Sequence, residues 1–322
     1  MKKISEGLSV ILPAYNEEAN INNVLHTLVQ VLNNSDIDFE VIVVDNGSID
    51  NTIDIVKEHQ VKLISCQIKG AAACRNFGVE NSEFDKICFL DSDCLVNEDW
   101  ALNIQKAFYD NQVAAYGGPC LSPKDGTWVE KAWAPEIINI DSCKVSLLAG
   151  CNFSVRKVLF SDIGGFNEEL LTAEDDDLSR RINHSKYKCI SDTKQAVVHL
   201  GYPKTLKESF QKVLWHGTTQ LKAHGLFGDK MVMLTIAWLF FVLCSLLALG
   251  NDFLFTLFSS FVLLILPALL VIKKLSYRTK SIYEILTNYA LVLVTLCARS
   301  IGLIIELYSI VKNRLFLKRE KG

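Results

Sequence analysis

Short apolar runs alternate with segments of helical period through the first two hundred residues, and longer apolar runs fill the last hundred. "LSVILP" (8–13) is an apolar run stopped by Pro13, and a helical pattern follows over 18–32 with Ile21, Val24, Leu25, Leu28 and Leu32 on one face. "FEVIVVD" (39–45), "VKLIS" (61–65) and "KICFLD" (86–91) read as three more strands, with helices starting near Asp50 and Gly70 between them. Strands that are apolar throughout, separated by helices, predict a mostly parallel sheet covered on both faces. From about 112 the pattern loosens: 113–119, 150–155, 188–192 and 196–200 read as strands, and Leu206, Phe210, Val213, Leu214 and Leu221 recur at helical spacing.

The last hundred residues change the picture. Residues 231–249 and 253–272 are apolar and, apart from Asp252 beside them, uncharged. At 1.5 Å per residue each is long enough for a bilayer core of about 30 Å. A third apolar stretch, 285–311, carries Thr295, Ala298, Arg299, Gly302, Glu306 and Ser309 along one helical stripe, which predicts an interfacial or re-entrant helix ahead of a crossing one. Charge divides at the same place: residues 231–322 hold 10 Lys+Arg against 4 Asp+Glu, the rest 23 against 32. The expected organisation is a catalytic-sized domain at 1–225 and a membrane domain at 226–322. Lys273, Lys274, Arg278 and Lys280 between the second and third stretches predict a cytoplasmic loop, and with it a cytoplasmic catalytic domain on a multi-pass inner-membrane protein. No basic stripe with interleaved aromatics suggests nucleic acid. Ten cysteines with no C-x-x-C pair read as free thiols of a reducing compartment.

In parallel sheets ligands gather beyond the carboxyl ends of the strands. Three polar clusters fall there: Pro13–Glu17, Asp45–Ser48 and Asp91–Asp93. "FLDSDC" (89–94) sets two carboxylates at one strand mouth, either as turn and helix caps or as a divalent-metal site facing phosphate oxygens. Further on, "AEDDDLSRR" places four carboxylates, Glu174–Asp177, at a helix start.

These segments together resemble the family 2 glycosyltransferases over residues 8 to about 220. "VILPAYNEEANI", "VIVVDNGSIDNT" (with Asn46 where aspartate is usual), "GAAACRNFGVE" with "FLDSDC", and "IGGFNEELLTAEDDDLSRRI" are similar to the family's motifs in order and spacing. The resemblance implies a GT-A fold, a Rossmann-like α/β domain, and an inverting transfer from a nucleoside-diphosphate sugar with Mn²⁺ or Mg²⁺. Carried over residue by residue, Pro13, Ala14, Tyr15, Glu17 and Asp45 match positions that hold the nucleoside. Asp91 and Asp93 match the D-x-D, with Asp93 the more direct ligand, and Asp175 matches the base of the Glu174–Asp175 pair. Arg75 faces the same rim, to pair with Asp91 or contact phosphate. His199 is a late metal-ligand candidate or a structural histidine. Gln211 and Trp215 are similar to an acceptor motif Q-x-x-R-W, although Leu214 stands where arginine would.

Expected partners are a nucleotide-sugar donor, membrane lipids and a membrane-associated acceptor, foremost a polyprenyl-linked glycan of surface-polysaccharide synthesis. A polyprenyl monophosphate acceptor and a catalytically inactive membrane scaffold are the alternatives.

Overall fold

The computed structural model describes residues 7–134, 142–170, 172–218, 221, 225, 230–248, 252–275 and 281–319. Its contacts divide the chain into two compact units, Met1–Lys124 with Ile137–Tyr202, and Asp125–Glu136 with Pro203–Gly322.

In the first unit the strands are β1 (Leu8–Ala14), β2 (Phe39–Asp45), β3 (Lys62–Ser65), β4 (Lys86–Leu90), β5 (Cys94–Leu95), β6 (Val113–Gly117), β7 (Cys120–Leu121), β8 (Cys143–Lys144), β9 (Asn152–Arg156), β10 (Lys188–Ser191) and β11 (Val197–His199). Eight form one sheet in the order β3-β2-β1-β4-β9-β6-β10-β8, and β5-β11-β7 form a second. β1, β2, β3 and β4 run parallel, with Val10 opposite both Val41 and Cys88. Residues 150–155, read as a strand, contain β9, which is antiparallel to both β4 and β6. The Phe89, Phe153, Phe160 and Phe166 rings pack at centroid distances of 5.0–6.3 Å beside this reversal. Removing one such buried ring typically costs about 3–5 kcal/mol.

The helices of the unit are α1 (Ile21–Asn33), α2 (Thr52–Lys57), α3 (Ala71–Glu80), α4 (Trp100–Ala107), α6 (Lys157–Asp162) and α7 (Glu174–Asn183). α1 buries Ile21, Val24, Leu25, Leu28 and Leu32, the stripe read from the sequence. Ala173, just before α7, sits at φ 64°, a left-handed conformation that costs a residue with a Cβ about 1–2 kcal/mol. Cys120 and Cys151 bring their sulfurs together with Cα atoms 7.5 Å apart, and the other eight cysteines are free thiols.

The second unit holds α5 (Trp128–Trp133), α8 (Leu206–Gly217) and three long helices, Lys230–Ala248, Phe253–Lys274 and Ile282–Arg319. All three are long and apolar enough to cross a membrane. The third is one unbroken helix. Its polar stripe is a packing face. A Cβ on Gly302 would lie 2.8 Å from Gly217 Cα, Glu306 accepts from the Leu221 N–H at 2.9 Å, and Arg299 Nε donates to Thr235 Oγ1 at 3.4 Å. α5 starts on a capping box, in which Thr127 Oγ1 accepts from Glu130 N–H and Glu130 accepts from Thr127 N–H. Its Val129 and Ala132 pack on Leu291, and Lys274 Nζ donates to the Ala132 carbonyl. Arg278 and Lys280 of the basic loop lie outside the described residues.

Candidate active site

β1, β2 and β4 end side by side because their apolar cores are in register, so the polar residues after each strand meet. They form an open cleft lined by Pro13, Ala14, Tyr15 and Glu17 after β1, Asn46 after β2, Ala71, Cys74 and Arg75 from α3, and Asp91, Ser92 and Asp93 after β4. Tyr15 stands at its rim, 57% exposed.

Asp45 does not line this cleft. Its buried carboxylate accepts from Gly47 N–H at 2.9 Å and Ser48 N–H at 3.1 Å, and so shapes the turn after β2. Asn46 lines the cleft in its place. Its Nδ2 donates to the Cys66 and Ile68 carbonyls at 3.1 and 2.8 Å, and its Oδ1 accepts from Gly70 N–H at 2.9 Å. An aspartate has no N–H to give those two carbonyls, so the departure from the usual residue has a local use.

The cleft is acidic. Burial, with Asp93 next and Asp91 behind it, pushes the Glu17 carboxyl up to about 7. Arg75 is the one cation among the lining residues, and it is already engaged. One terminal nitrogen donates to Asp91 Oδ1 at 2.7 Å and the other to Glu174 Oε1 at 2.6 Å, the side chain being 4% exposed. Both carboxylates hold it protonated against the cost of burial.

α7 presents Glu174 and Asp175 differently. Glu174 is tied to Arg75, while Asp175 accepts from Gly150 N–H and Asp176 N–H, both at 2.9 Å. Burial first and then the Glu174 charge push Asp175 up to about 6, while the Gly150 amide, Arg75 and the Asp176 amide pull the other way. Asp177 is structural: it pairs with Arg181 at 2.8 Å, and Arg181 donates to the Ile163 and Gly165 carbonyls. That holds the glycine turn that positions Phe166.

Asp93, Cys94 and His199 bring one donor atom each within 4.8 Å of one another. His199 Nε2 is 3.7 Å from Asp93 Oδ1, its Nδ1 accepts from Gly201 N–H at 3.1 Å, and its ring stacks on Tyr202 at 4.4 Å. Gly201 has no room for a side chain, since a Cβ there would lie 1.9 Å from Asp93 Oδ2. Burial pushes the Cys94 thiol well up, so it stays neutral and is a poor ligand for a hard cation. Trp215 belongs to the second unit, where α8 leaves it 54% exposed with its ring against His216. Gly201 and Asn46 were not singled out from the sequence as site residues; the only signal was Asn46 standing in an aspartate position.

Residues 9–164 match the family model of Glycosyl transferase family 2. The chain carries a family 2 glycosyltransferase domain. It is 29% identical to "Glycosyltransferase AglE" of Haloferax volcanii over 191 residues, covering 56% of this chain and 62% of that one. With "Poly-beta-1,6-N-acetyl-D-glucosamine synthase" of Staphylococcus epidermidis the identity is 24% over 273 residues, 75% of this chain and 64% of the other. The chain thus spans under two thirds of the length of either relative. Among solved structures, mannosyltransferase PcManGT from Pyrobaculum calidifontis, in complex with GDP-Man and Mn²⁺, superposes with a TM-score of 0.57 at 18% identity, over 93% of this chain and 90% of that one. At that identity the likeness shows the fold, a GT-A-like mixed α/β domain.

Proposed function

We propose that this protein is a membrane-anchored inverting glycosyltransferase, which moves a sugar from a nucleoside-diphosphate donor to a membrane-associated acceptor. The observation that carries the reading is the acidic cleft beside a second, separately held carboxylate. A diphosphate entering among Glu17, Asp91 and Asp93 meets like charge, and the one lining arginine is committed to Asp91 and Glu174. Charge balance then calls for a divalent cation, and carboxylate oxygens suit Mn²⁺ or Mg²⁺. Asp93, with Asp91 next to it, would hold that ion, and it would neutralise charge on the leaving diphosphate. His199 is the further candidate ligand. Ligation through Nε2 needs the ring proton on Nδ1, at the cost of the Gly201 contact, whereas Asp93 carries no such conflict.

The remaining steps belong to the chain's own groups. The loops after β1 and β2 take the nucleoside, with Tyr15 at the rim and Asn46 holding the adjoining backbone. Asp175 accepts the proton of an acceptor hydroxyl as its oxygen attacks the anomeric carbon from the face opposite the leaving group. The bond to the diphosphate oxygen breaks and the configuration inverts. A carboxyl near 6 is ionised at pH 7 yet more basic than an ordinary aspartate, as a general base requires. The three apolar helices support a lipid-linked glycan as acceptor and, with the basic loop, a catalytic domain on the cytoplasmic face of the membrane.

The test uses the purified full chain with a panel of nucleotide sugars, lipid-linked acceptors and Mn²⁺, and measures nucleoside diphosphate release. EDTA and Asp93→Ala should each abolish it, and added Mn²⁺ should restore the EDTA-treated enzyme alone. Asp175→Asn should lower turnover about 10²- to 10⁴-fold with a hydroxyl acceptor. With a polyprenyl monophosphate, which is already an anion, the loss should be small. Full turnover in metal-free buffer would reject the metal assignment. Unchanged turnover in Asp175→Asn with every acceptor would reject the base.

A further inference from the structure

Arg75 joins segments that lie far apart in the sequence. It projects from α3 to Asp91 after β4 at 2.7 Å and to Glu174 at the start of α7 at 2.6 Å. Its guanidinium carbon lies 5.4 Å from the centre of the Phe166 ring, which the glycine turn at 164–165 presents. A Cβ on Gly150 would come within 3.2 Å of the guanidinium, and the same Gly150 donates its N–H to Asp175.

We propose that Arg75 is a positioning residue for transfer, a fork that sets the end of β4 and the first turn of α7 at one spacing, so that the donor's diphosphate and the base meet in line. This deepens the reading of Asp175 as base and rests on it. A phosphate-binding role fits less well, since both terminal nitrogens are engaged by carboxylates and the side chain is 4% exposed. The planar guanidinium can serve two carboxylates in fixed directions, which a lysine ammonium on its flexible stem does not do. Glu174 is then the arm through which Arg75 acts on α7, and Asp175, one residue on, is left to its two amide donors.

The experiment uses the full-length enzyme in detergent with Arg75→Lys, Arg75→Gln and Glu174→Gln, each first checked for a cooperative melt. Arg75→Lys should lose about 10²-fold in kcat, the cost of misplacing reacting groups by about 1 Å, with the nucleotide-sugar KM within about threefold of wild type. The acid limb of the pH–rate profile separates positioning from mere support of the fold. Asp175 is faced by Arg75, Glu174 and the amides of Gly150 and Asp176. Removing the positive charge in Arg75→Gln should move the limb to higher pH, and removing the negative charge in Glu174→Gln should move it to lower pH. ¹³C NMR of the Asp175 carboxyl reads the same midpoints without substrate. Wild-type kcat in Arg75→Lys, or midpoints that stay put or move together, would overturn the proposal. Should the arginine variants fail to fold, Glu174→Gln, nearly isosteric, decides it by the same two readouts. An acid limb that persists in Asp175→Asn is a different result: it removes the base reading, and this proposal with it.

Discussion

Asp175, if it is the base proposed above, should leave a signature in stability as well as in rate. Its carboxyl is pushed from the ordinary range up to about 6 by burial and by Glu174. A group whose folded pKa is raised contributes stability that is fully present below the unfolded pKa, about 3.9, and is lost as pH rises through the folded value. Asp175→Asn, which cannot ionise, should therefore melt higher than wild type at pH 8, by up to about 3 kcal/mol at 1.36 kcal/mol per unit, with the gap closing towards pH 4. A gap that instead widened in acid would mean the carboxylate is stabilised in place. The carboxylates themselves were legible in the sequence, because Asp91, Asp93, Glu174 and Asp175 fall where strand ends and a helix start are readable from local pattern. Gly150 and Gly201 were not. Their use is the absence of a Cβ against Arg75 and against Asp93, and no local pattern records a neighbour so far away along the chain.

At the scale of elements, β1, β2 and β4 were readable because each is a continuous apolar run buried on both sides. β5, β7 and β8 are two residues long, too short to show a period, and the reversal at β9 follows from connectivity that residue pattern does not encode. The polar stripe of the third long helix was visible, but its partner was not. Gly302 meets Gly217 of α8 at a backbone distance that neither residue type alone announces. Gly302→Leu should drive the two helices apart and lower the melting midpoint of the full chain by the equivalent of about 1–3 kcal/mol. An unchanged midpoint would show that this crossing contributes no stability.

For the whole molecule, the expectation open to a direct check is its orientation. With the basic loop on the cytoplasmic side, a membrane-impermeant thiol reagent applied to intact cells should label Asn251→Cys and should miss Ser276→Cys, read against the same chain lacking its native exposed Cys297. The reverse pattern would put the catalytic domain outside. α5 adds a condition on how such a chain is made. Its carbonyl at Ala132 takes Lys274 from a position 142 residues later, and its apolar side takes Leu291, later still. At about 5–20 residues per second of synthesis, Trp128–Trp133 leaves the ribosome on the order of ten seconds before either partner exists. During that interval two tryptophans and a valine are without their packing face. The birth of this protein therefore includes a window in which a chaperone has something to hold, and the window closes only when the last helix has emerged.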